Sequence, residues 1–127
     1  MRYHDGALEG LEYAAADQIT LRIRATSSEL LTVKVTGLID VFVELGVGNI
    51  VSDIFIWRLN EVPLAVSVPD GPWNTLFRGR ARLEEDINSL SGTMKRHHPD
   101  CHFLHVLCSY GGTLAAVGRS IEIYVKM

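Results

Sequence analysis

The sequence predicts an α+β domain that is mainly antiparallel β, a β-sheet or sandwich of about seven to eight strands with one amphipathic helix packed on it. Three patterns carry this expectation. Apolar and polar residues alternate with a period of two over several stretches, the breaks between them are short and rich in Gly, Asn or Ser, and in one stretch the period changes to that of a helix.

Ile19, Leu21 and Ile23 alternate with Thr20, Arg22 and Arg24, which places the apolar set on one face of a pleated strand. Leu31, Val33 and Val35 repeat the pattern after the polar break at 26–29, so the two stretches read as a hairpin. Beyond Gly37 a further strand is expected over Ile39, Val41, Val43 and Leu45. It is followed by Gly46-Val47-Gly48-Asn49, residues that tolerate the positive φ of a tight turn, and by a return strand over 50–59. That hairpin would set Glu44 close to Asp53. A short apolar strand is expected over 62–68, closed by Pro69-Asp70-Gly71-Pro72.

Leu83, Ile87, Leu90 and Met94 then recur at spacings of four, three and four, the stripe of an α-helix near 80–97 that would cover a sheet face. Glu84, Glu85 and Asp86 fall at its start and Lys95-Arg96 at its end, the order that complements the helix dipole. Pro99 is the expected stop. A last hairpin follows, 103–109 and 114–125 around Gly111-Gly112.

All 127 residues form one expected domain, since no repeat, low-complexity run or linker divides the chain. Hydrophobic residues make up 47% and charged residues 21%, the mixture of a self-folding globular domain. A net charge of -3 lacks the basic footprint that draws nucleic acid, so no nucleic-acid partner is expected. The most apolar region, 38–57, is interrupted by Asp40, Glu44 and Asp53 and cannot be a spanning helix, so no membrane partner is expected either. MRYHDGALEG lacks the apolar core of a signal peptide, and the two cysteines, Cys101 and Cys108, would lie about 23 Å apart along a strand. The expectation is a cytoplasmic protein with free thiols.

Chemistry is most concentrated in KRHHPDCHFLHVLC. In a helix, His98, Cys101, His102 and His105 would share one face and could ligate a metal; in a strand His102 and His105 point to opposite sides. Length and the Gly-Gly turn favour the strand, so no metal or cofactor is expected, with a metal- or small-ligand-binding protein or enzyme centred on 97–108 as the alternative. Arg78, Arg80 and Arg82, with Lys95, Arg96, His97 and His98, form a basic region suited to an acidic partner or a phosphate, opposed by the acidic residues that follow. The chain carries no G-x-S-x-G elbow, phosphate-binding loop or H-E-x-x-H motif.

The order Tyr3-His4-Asp5-Gly6, ITLRIRA, VTGLIDVFVE, GNIVSDI and SYGG before GRSIEIYV resembles a family of small bacterial immunity-type proteins associated with polymorphic toxin systems. The likeness covers the ends and the first half of the chain and leaves 62–98 unexplained. It implies a non-catalytic protein that binds a partner such as a toxin, with His4, Asp5, Asn49 and Tyr110 at the positions matching the family's pattern. The resulting expectation is a non-enzymatic protein-binding domain, or a homo-oligomer joined through an uncovered edge strand.

Overall fold

A computed structural model of the chain describes residues 2–65, 70–81 and 83–126, with side chains from residue 6 onward. Six antiparallel strands form a closed barrel: β1 (Arg2–Ala15), β2 (Gln18–Arg24), β3 (Leu30–Glu44), β4 (Ile50–Arg58), β5 (His102–Cys108) and β6 (Thr113–Lys126). Around the ring they run β1-β2-β3-β6-β5-β4, and β4 returns to β1. Between β4 and β5 lie a 3-10 turn at Leu59–Glu61 and the helices α1 (Pro72–Leu76) and α2 (Glu84–His97). Among the described residues no helix is long and apolar enough to cross a membrane.

The mainly antiparallel α+β class matches the expectation, but even with β1, a strand that no expected stretch covers, six strands replace seven to eight for two reasons. The stretches on either side of Gly37 are one strand, not two. Gly37 adopts a φ of +63°, and with the register shift between Leu38 and Asp40 it lets β3 turn a corner without ending. β6 passes the same corner at Gly118, where a Cβ would stand 2.4 Å from a Val35 methyl. The second reason is that residues 62–65 form no strand, while 66–68 of the stretch expected there lie outside the described residues.

The expected pairing of 38–45 with 50–59 is also overturned. β3 pairs with β6, so Glu44 faces Thr113, whereas Asp53 faces Leu107 on β5. The loop at 45–49 crosses to the far side of the β5–β6 hairpin because Asn49 Oδ1 accepts the Gly46 amide at 2.7 Å and the Asn49 carbonyl accepts the Leu8 amide at 2.9 Å. This anchors the chain to β1.

Alternation on β5 and β6 serves two cores at once. Leu104, Val106, Leu114 and Ala116 point into the barrel with Leu8, Ile19, Leu21, Ile23, Val33, Val35 and Ile54. Phe103, Ala115 and Val117 point outward, where Leu59, Val62, Trp73, Leu76, Phe77 and Ile87 cover them. Small side chains on β6 leave room for α1 to approach closely. The four-position stripe expected on α2 is only half buried: Ile87 and Ser91 face the sheet and Met94 packs partly, while Leu83 and Leu90 are exposed at 57% and 41%. α1 already occupies the sheet face that a fully embedded α2 would need, so α2 rests on the margin of the outer core.

Candidate functional site

Strand register assembles a basic end of the barrel. Arg58 lies opposite His102, and His102 opposite Gly118, so β4, β5 and β6 finish or bend at one level with Arg119 next in line. The Arg119 stem lies over Gly37, its carbons about 3 Å from where a Cβ would stand, so the missing side chain at 37 makes room for it. Backbone bonds from His98 to the Met94 carbonyl, from Cys101 to the His98 carbonyl and from Leu59 to the Cys101 carbonyl bring the basic last turn of α2 to the same end.

His102 Nδ1 sits 3.2 Å from the Arg119 carbonyl oxygen. A carbonyl only accepts, so in this contact Nδ1 is the protonated, donating nitrogen. Two clefts flank the Pro99–Cys101 turn. One, of about 230 Å³, is lined by Arg58, Asn60, Asp100 and His102; the other, of about 380 Å³, by His97, His98, Asp100 and Arg119. Among the described residues Arg58, Arg96 and Arg119 have no ion-pair partner, whereas Arg22, Arg24 and Arg80 are paired with Glu12, Glu9 and Asp40. Arg58 and Arg119 escape a sequence reading because only the ladder through His102 makes them neighbours.

The other residues named from the sequence are dispersed. Arg80 bonds Asp40 at 2.8 Å and lies over the Phe77 ring, while Arg78 lies over the Phe42 ring and 3.8 Å from Asp70; both are thus committed elsewhere on the outer face. Arg82 and the side chains of His4 and Asp5 lie outside the described residues, though 4 and 5 belong to β1. Asn49 shapes the crossing loop, and Tyr110 is 91% exposed at the β5–β6 turn.

Residues 102–108 are a strand, which splits the alternative metal set. His102 lies at the barrel end, and His105 points to the opposite, outer face. Cys101 is buried in the outer core with its thiol pushed up by burial, and His98 stands at the end of α2. Among the described residues no three His, Cys, Asp or Glu side chains are grouped to hold an ion.

His105 is 2% exposed, and its Nε2 has no hydrogen-bond partner among the described residues. Burial pushes its pKa down to about 4, with Asp70 opposing and Arg78 assisting, so the ring is neutral at physiological pH. An inaccessible neutral imidazole among aromatic rings belongs to the core.

The architecture and this end together define a small closed β-barrel with a helical cover and a basic rim at which Arg58, Arg96 and Arg119 lack an ion-pair partner among the described residues, with Asp100 between the two clefts. No family model, curated protein or solved structure matches the chain, so the likeness to immunity-type proteins rests on its motifs.

Proposed function

We propose that the chain is a non-enzymatic binding protein that engages an acidic surface of a partner protein through Arg58, Arg96, His97, His98, His102 and Arg119. The observation that carries this reading is the convergence at one barrel end of arginines without ion-pair partners among the described residues, in a chain whose net charge is -3. Such local charge speeds encounter and selects complementary partners even where it adds little affinity. The motif resemblance supplies a class of partner, a toxin held inactive by the complex.

The test compares wild type with Arg58→Glu/Arg119→Glu as bait, then reconstitutes each captured protein with the purified chain. A purified acidic partner that binds wild type, weakens with salt and is lost by the double variant supports the proposal. Equal binding by both baits, or no charge-dependent partner, overturns it.

A further inference from the structure

The ring closes through β1 and β4, yet its strands are unequal in length. β5 covers one side of β6 only as far as Gly118, and β3 covers the other side to Lys126. Among the described residues nothing pairs with the outer edge of 120–126. This edge has no proline, and its register with β3 is regular from Thr36–Ser120 to Leu30–Lys126, so the usual devices that blunt an edge are missing apart from its charges. Val125, opposite core Leu31, is 59% exposed, and Tyr124 is 51% exposed.

We infer that this edge is a self-association surface, joining β6 of two copies antiparallel about a two-fold axis at Tyr124. The sequence Ser-Ile-Glu-Ile-Tyr-Val-Lys selects the register. Pairing must keep inward residues beside inward ones, because a slip of one residue reverses every face. Among registers that do so, centring on Glu122 opposes two like charges, and centring on Ile123 sets Glu122 against Tyr124. Centring on Tyr124 places each Glu122 opposite the other copy's Lys126, Ile123 opposite Val125, and the two tyrosines side by side. The edge charges thus become complementary. So short a ladder makes a weak, concentration-dependent dimer.

Sedimentation over a range of concentrations tests the inference, with Glu122→Lys, Lys126→Glu and the double exchange. Each single inversion should weaken dimerisation by at least about tenfold and the double exchange should restore it. Tyr124→Cys, which leaves the charges in place, should form an intermolecular disulfide when oxidised by added diamide, which takes up the two electrons and two protons, and the wild type, with its buried or half-buried thiols, should not. A monomer at every concentration, dimerisation indifferent to both inversions, or no cross-link at position 124 would overturn it. The acidic-partner reading is independent, since Arg58→Glu/Arg119→Glu leaves residues 120–126 unaltered.

Discussion

His105 stands directly opposite Phe55 on the β4–β5 ladder, its ring 6.3 Å from the phenyl ring and 6.5 Å from Trp57. A titratable group enclosed this way couples folding to pH. Its folded pKa of about 4 lies below the ordinary 6.5, so the unfolded chain binds the proton first. This contribution is neutral above about pH 6.5, destabilises progressively as pH falls, and levels off near pH 4 after a loss of about 3 kcal/mol. Urea unfolding at pH 7.5 and 4.5 should show a markedly smaller drop for His105→Leu than for wild type. Parallel profiles would place the charge change elsewhere.

Gly118 is where β6 bends, and the room for it is taken: a Cβ would stand 2.4 Å from Val35 Cγ1 and 2.9 Å from the Thr36 carbonyl oxygen. Gly118→Ala therefore overpacks the corner against backbone that cannot retreat, and about 1–3 kcal/mol of stability should be lost. Denaturant midpoints measure it. A variant as stable as wild type would show that the corner relaxes freely.

Along α2 the sequence stripe and the buried face make different forecasts. Ile87 is 4% exposed, so Ile87→Ala should cost about 2–4 kcal/mol, whereas Leu83→Gln, at an exposed position, should stay within about 0.5 kcal/mol. Thermal unfolding of the two variants separates the readings. Equal losses would restore the four-residue stripe as the packed face.

What the sequence discloses follows from which interactions are local. The alternation at 19–24 and 31–36 belongs to strands with one inward face, and both the β2–β3 and β5–β6 hairpins appear as read. β1 is obscured because Gly6, Ala7, Gly10 and Ala14 dilute its period, and register shifts after Leu8 and Tyr13 interrupt the strict two-residue step. The helix of 84–97 is legible, charged ends included, but its depth of burial is not, because that depends on α1. α1 is hidden behind Pro69-Asp70-Gly71-Pro72, where Pro72 occupies the first helical position instead of only breaking structure. The basic end is the least legible feature of all: Arg58, His102 and Arg119 become neighbours through two long-range ladders, and no pattern within a short stretch encodes that.

Trp73 tests whether the barrel and its cover unfold together. α1 has five residues, too few to persist alone, so its place depends on this indole. The ring is fully buried, meets Phe103 edge-on at 5.1 Å, stacks on Phe77 at 5.8 Å and carries Lys95 Nζ at 5.7 Å. Trp73→Ala should cost about 3–5 kcal/mol. Because the interior core of Ile19, Leu21, Val33 and Leu114 is lined separately, amides of β2 and β3 should stay the better protected in hydrogen exchange while those of α1 and α2 open first. Trp73→Phe should recover much of the loss, since the indole Nε1 has no acceptor among the described residues and the smaller ring removes that buried donor. Uniform loss of protection across both layers would make them one cooperative unit.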